Sequence, residues 1–383
     1  MRWNLWTLVF AVCAVGLSGC TDASVTGEPP GTGQEPQGDD PAGDGDGDNS
    51  PTLRCSVPTS QVFDGGVGRD GIPALNNPGI DVPGDITFLA DDDRVLGLEL
   101  GGAARAYPLP VLWVHEVIND TLGGRPVLVS YCPLTGSGLA FDPRVGGELR
   151  TFGVSGLIYE NNLMMFDRQT GNIWNQLSLG ALCGPARGDS LARLPLVETT
   201  YRDWRRRHPE TTVVTNGAGR RNVYGAYPYG DYDEPDNAVT LFPSSAYGRE
   251  LSPKELVLGV RIGREAVAYS FAVMAGRGSA AVINDNVGGG PIVVLYSRGE
   301  NAAWAFHSRV QPSPGAASLT LTFVLSDPDL PTFTDEFSGS EWNSNGAAIA
   351  GPLRGARLDP VVDAYTLYWF AWSVYHARTR VTG

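Results

Sequence analysis

Lysine is nearly absent from this sequence. Lys254 is the only one in 383 residues, arginine carries the other positive charges, and the formal net charge is −14. We read the scarcity of lysine as codon bias. The acidic balance excludes nucleic acid as a partner, because such binding needs a basic face. Long apolar runs are missing after Leu17, so no later segment can span a bilayer as a helix. The five cysteines include no Cys-x-x-Cys pair. Other catalytic signatures fail at single positions. His115-Glu116-Val117-Ile118-Asn119 ends in Asn119 where a zincin needs its second His. Gly153-Val154-Ser155-Gly156-Leu157 has Leu157 where a nucleophile elbow needs Gly. No His closely follows Cys132, which excludes a blue-copper ligand loop.

What is present begins at the N-terminus. Arg2 precedes an apolar run from Leu5 to Leu17, and Leu17-Ser18-Gly19-Cys20 follows. This is the pattern of a prokaryotic lipoprotein signal, residues 1–19, with Cys20 as the lipidated residue. Residues 20–50 hold eight acidic residues, no basic one and almost no bulky apolar side chain. Such a segment cannot offset the entropy of ordering, so a flexible tether is expected. The expected location is extracytoplasmic, on the periplasmic face or the cell surface, with the membrane as partner through lipid on Cys20.

The rest of the chain repeats itself. Val95-Leu96-Gly97 recurs as Val257-Leu258-Gly259, and Ala106-Tyr107 as Ala268-Tyr269. Val117-Ile118-Asn119-Asp120 recurs as Val282-Ile283-Asn284-Asp285, and Tyr131 as Tyr296. Asp167, Trp174 and Asn175 match Asp335, Trp342 and Asn343, and Trp204-x-x-x-His208 matches Trp372-x-x-x-His376. Conserved order and near-constant spacing indicate two copies of one unit. The expected organisation is a lead-in segment (51–94), a first lobe (95–215), a linker (216–256) and a second lobe (257–383). Within a copy, Val95 to Leu100 and Ala103 to Tyr107 read as a hairpin, and Pro108 to Glu116 as a short helix. Val127 to Tyr131, Leu139 to Asp142, Leu149 to Val154 and Leu163 to Phe166 read as strands. Helices are expected at Thr200 to Arg207 and at Tyr365 to His376. The fold class is α+β, mostly antiparallel β, in two pseudo-equivalent lobes.

Residues shared by both copies most simply serve the shared fold, so Asn119-Asp120 is read as turn chemistry. The differences point to chemistry. His115-Glu116 faces Ala280-Ala281, Cys132 faces Ser297, and Arg168 and Gln176 face Glu336 and Ser344. The first copy thus holds ionisable and soft groups that the second lacks. A thiolate activated by imidazole is a nucleophile, which makes Cys132, His115 and Glu116 candidate catalytic residues, with Glu116 orienting His115. The turn Gly136-Ser137-Gly138 offers backbone N–H groups to an oxyanion. Thiolate and imidazole equally suit copper or zinc, with His115 and Cys132 as ligands. Cys183 faces Ala350 in the second copy and Cys55 precedes both copies. We therefore favour a Cys55–Cys183 disulfide that leaves Cys132 free.

Tyr131-Cys132-Pro133-Leu134-Thr135-Gly136-Ser137-Gly138, Phe152-Gly153-Val154-Ser155-Gly156 and Asp167-Arg168-Gln169-Thr170-Gly171-Asn172-Ile173-Trp174-Asn175-Gln176 follow Ala106-Tyr107-Pro108 and His115-Glu116 in order. In these motifs the sequence resembles the domain of unknown function 3179 family, from about Ile72 to the C-terminus. It departs at Asn172 and Asn175, where Ser is expected, and at Thr135, where some members carry a second Cys. The resemblance implies an extracytoplasmic, often membrane-anchored protein and brings no activity with it. Three functions stay open: a ligand- or metal-binding lipoprotein, a Cys-His hydrolase or transferase, and a structural interaction module of the envelope.

Overall fold

Alternating apolar residues on either side of Gly101-Gly102 make Arg94–Leu100 and Ala103–Pro108 an antiparallel hairpin, and this hairpin seeds the first half of the chain. The computed structural model describes residues 54–215, 224, 227–312, 315–327 and 332–382. The expected signal peptide, lipidated Cys20 and tether lie outside the described residues. Residues Arg54–Gly383 form one unit, α+β and mostly antiparallel, with four α-helices among the described residues.

Three sheets build the first half. In the first, Val197–Thr200 flanks the hairpin on one side and Thr212–Thr215 joins it in parallel on the other. In the second, Val117–Leu122, Arg125–Cys132 and Ser137–Asp142 form a meander, edged by Ala192–Leu194. The third runs through Phe152–Tyr159, Asn162–Asp167, Ile173–Asn175 and Gly180–Cys183. Helix α1 (Leu109–His115) links the first sheet to the second, and helix α2 (Tyr201–Arg207) covers the hairpin.

The second half pairs its strands in the same order. Hairpin Leu256–Ile262/Glu265–Ser270 is flanked by Ala364–Tyr368 and, in parallel, by Arg380–Thr382. Helix α3 (Phe271–Gly276) leads to the meander Ala280–Val287, Gly290–Ser297, Ala302–His307. A sheet of Phe323–Asp327, Thr332–Asp335, Glu341–Trp342 and Ala348–Ala350 follows, and helix α4 (Trp369–Tyr375) covers the hairpin.

Side chains repeat these pairings. Asn119 exchanges two hydrogen bonds with the Phe152 backbone, and Asn284 does the same with Phe323. Tyr107 donates to Asp120 and Tyr269 to Asp285. The indole N–H of Trp174 reaches Asp167 and that of Trp342 reaches Asp335, each at 3.0 Å. The Trp204 ring lies where a Cβ on Gly97 would stand, and Trp372 occupies that place at Gly259. Gly97→Ala or Gly259→Ala therefore overpacks a fully buried tryptophan. A loss of about 2–3 kcal/mol is expected in urea unfolding of either variant.

Three expectations need correction. Tyr365 to Tyr368 is a strand and not the start of the last helix, because it pairs with Leu256–Ile262. Asn119-Asp120 lies inside a strand and clamps neighbouring elements, and is not a turn. Leu149 to Val154 is split, since Arg150 turns back to Pro143 before Phe152 begins a new strand.

Each half has a cluster of its own, around Leu96 and Tyr107 in the first and around Leu258 and Tyr269 in the second, and a further cluster spans both. Cys132, Leu134, Leu139 and Trp174 share one cluster with Tyr232, Leu367, Tyr368 and Trp369. The linker helps to close it. Lys254, the single lysine, is only 1% exposed, and its ammonium donates to the Tyr232 carbonyl beneath the Tyr232 ring. The expected Cys55–Cys183 disulfide is present and ties the lead-in segment to the third sheet. It closes a separation of 128 residues, so the chain-entropy account gives it about 5 kcal/mol.

Candidate functional site

His115 ends α1 and is buried. Its Nδ1 lies 2.7 Å from the Pro73 carbonyl, which can only accept, so Nδ1 carries the proton. Its Nε2 meets the Tyr224 hydroxyl at 2.9 Å. The group that orients His115 is thus the Pro73 backbone, where the sequence suggested Glu116. Both ring nitrogens are engaged away from Cys132.

Cys132 closes the Arg125–Cys132 strand and is 1% exposed. Its sulfur accepts the Leu163 N–H at 3.3 Å. Burial raises the thiol to about 11, with the Glu116 carboxylate as the second cause, while hydrogen bonds from Thr135 and Leu163 oppose the rise. Glu116 itself is raised by burial to about 8. It stands at φ 55°, a conformation a non-glycine side chain rarely adopts. Cys132 thus feels the charge of Glu116, while the ring nitrogens of His115 bond Pro73 and Tyr224. Among the described residues no three His, Cys, Asp or Glu side chains gather as metal ligands.

A buried polar network surrounds the thiol. Gln176 bonds Ser130, Ser137 and Asn162, and Asn162 bonds Thr135. The turn at Gly136 is closed by the Tyr368 ring, and the Tyr368 N–H takes the Thr135 carbonyl. This turn does not face an open site. The linker is fixed over the same region, where Asn161 exchanges hydrogen bonds with the Phe242 backbone and Glu160 accepts from Ser245.

The open space lies elsewhere. A cleft of about 350 Å³ separates the halves, with Val197, Glu198, Trp204 and Arg207 on one side and Trp304, Asn345, Leu358 and Tyr365 on the other. Arg207 pairs with Asp203 at 2.6 Å, donates to Asn345 at 2.8 Å, and stacks over Trp304 at 5.1 Å. Glu198 pairs with Arg94 through one carboxylate oxygen. Glu198 Oε2, Trp304 Nε1 and Arg207 Nε are buried without a hydrogen-bond partner. Burial raises Glu198, and lowers His208 to about 4. The sequence did not point to this cleft. One signal was available: Arg207, Trp304 and Asn345 have different residues at the matching positions of the other half, Tyr375, Leu139 and Leu177.

The sequence profile of proteins of unknown function DUF3179 matches residues 69–379. The chain belongs to the DUF3179 family. No curated protein and no solved structure matches it. For a DUF3179 chain the geometry above is therefore the guide to chemistry. No helix among the described residues is long and apolar enough to cross a membrane. The disulfide is consistent with a non-cytoplasmic protein.

Proposed function

We propose that this DUF3179 protein is a lipid-anchored, extracytoplasmic binding protein that takes a small molecule in the cleft between its two halves, which arose by duplication. The carrying observation is that cleft. Its volume falls in the range of small-ligand sites, and its lining mixes aromatic and apolar side chains (Trp204, Trp304, Leu358, Tyr365) with charged and polar ones (Glu198, Arg207, Asn345). Glu198 and Arg207 are each already paired with an opposite charge, which favours a neutral or zwitterionic ligand over a multiply charged one. Lipid on Cys20 would hold the protein at the membrane, with residues 20–50 as spacer.

A thermal-shift screen of metabolite-sized compounds on the full-length chain tests this reading. Hits should raise the melting temperature of the wild type and lose that effect when Leu196, which lines the cleft, is enlarged in Leu196→Trp. Shifts of equal size in both proteins would contradict it.

One observation favours a second reading. Glu116, whose charge Cys132 feels, holds a backbone conformation rare for a non-glycine residue, and such strain gathers at functional sites. On that reading Cys132 works with Glu116, and Tyr232 of the linker shares the buried cluster of the thiol. A Cys-His pair and a copper or zinc site on His115 and Cys132 draw less support, since His115 is bound to Pro73 and Tyr224.

A further inference from the structure

Arg193 is the least satisfied charge among the described residues. It sits in the edge strand Ala192–Leu194, paired opposite Phe141, and its side chain is 3% exposed. Its Nε, Nη1 and Nη2 all lack a hydrogen-bond partner. The nearest carboxylate oxygen, Asp363 Oδ1, is 3.9 Å from Nη1, beyond hydrogen-bonding distance. The other oxygen of Asp363 is taken by Arg261 at 2.7 Å. The Tyr365 ring lies 4.6 Å from the guanidinium carbon and offers only its face. The corresponding bridge of the second half pairs Phe306 with Pro360, so the fold does not require a cation at this register.

Arg193, Arg261 and Asp363 line a second cavity, of about 590 Å³, together with Ser178, Ser190 and His307. Two guanidinium groups against one carboxylate leave an excess positive charge. A planar guanidinium with unused N–H groups matches the geometry of phosphate, sulfate or carboxylate. We infer that this cavity is an oxyanion-binding site, with Arg193 as its principal donor, Arg261 as its second cation and the two serines as further hydrogen-bonding groups. The inference is independent of the cleft reading, because neither Arg193 nor Arg261 lines the cleft.

The test follows thermal unfolding of the full-length chain in low-millimolar inorganic phosphate, against chloride at matched ionic strength, where general salt effects are small. The wild type should be stabilised by phosphate in a saturable manner. Arg193→Met should lose that response, and Arg261→Gln should need about tenfold more phosphate for the same shift. If Arg193→Met does not fold, Arg261→Gln alone decides. Equal effects of phosphate and chloride on the wild type would overturn the inference, as would an undiminished phosphate response in the folded variants. Retention on vesicles containing an anionic phospholipid, lost in the same variants, would assign the same chemistry to a lipid headgroup.

Discussion

Near pH 8, Cys132 reacts with iodoacetamide at least about a hundredfold more slowly than an exposed cysteine. A thiol raised from 9.0 to about 11 has about a hundredth of the usual thiolate, and only the thiolate attacks. Burial under the linker slows the reaction further. Glu116→Gln removes the negative neighbour, so the thiol ionises at lower pH and alkylation speeds up. That difference grows above about pH 8, where Glu116 becomes charged in the wild type. Rates for full-length protein, read by mass spectrometry against pH, check both statements. Alkylation of Cys132 as fast as that of a free thiol would show that the linker does not seal the site.

Acidification costs stability through two histidines at matching positions. His208 stacks on Trp204 and His376 on Trp372, with ring centroids 4.0 and 3.9 Å apart. Burial is the first cause that lowers each from 6.5 to about 4. The unfolded chain therefore binds more protons than the folded one between these values. Stability from these groups is full above about pH 6.5 and is lost as pH falls towards 4. Allowing for partial solvent contact, the loss is about 2 kcal/mol for each histidine. Urea midpoints measured across this range should fall for the wild type and stay flatter for His208→Gln/His376→Gln. Parallel curves for the two proteins would remove the histidines from the account.

Local pattern carried much of the fold into the sequence. Gly-Gly turns between alternating runs marked the hairpins, and Pro108 ahead of an apolar stretch marked the first helix. The Cys55–Cys183 pair was legible because Cys183 has Ala350 as counterpart while Cys55 lies before both copies. What failed was non-local. The run from Tyr365 to Tyr375 is apolar almost throughout, so no periodicity marks where strand gives way to helix at Trp369. Asn119 and Asp120 have turn-forming side chains, but Phe152 and Tyr107 hold them inside a strand.

The candidate site divides the same way. Comparison of the copies singled out Cys132, Glu116 and Gln176, and these do lie in or beside one buried cluster. It also singled out His115, paired with the thiol on the chemistry of imidazole and thiolate, but the ring nitrogens of His115 bond Pro73 and Tyr224. The cleft was hardly legible, its one signal being the differences at Arg207, Trp304 and Asn345. Its walls come from Val197 to His208 and from Ala303 to Thr366, segments that meet only once both halves have folded.

Amide hydrogen exchange of the full-length chain, with and without a compound from the thermal screen, tests the central claim most directly. The account predicts slowed exchange on both walls of the cleft, at Val197–Thr200 and at Ala302–His307, with little change around Cys132. Protection confined to Cys132, Leu163 and the linker that covers them would contradict it and place the working site at the thiol.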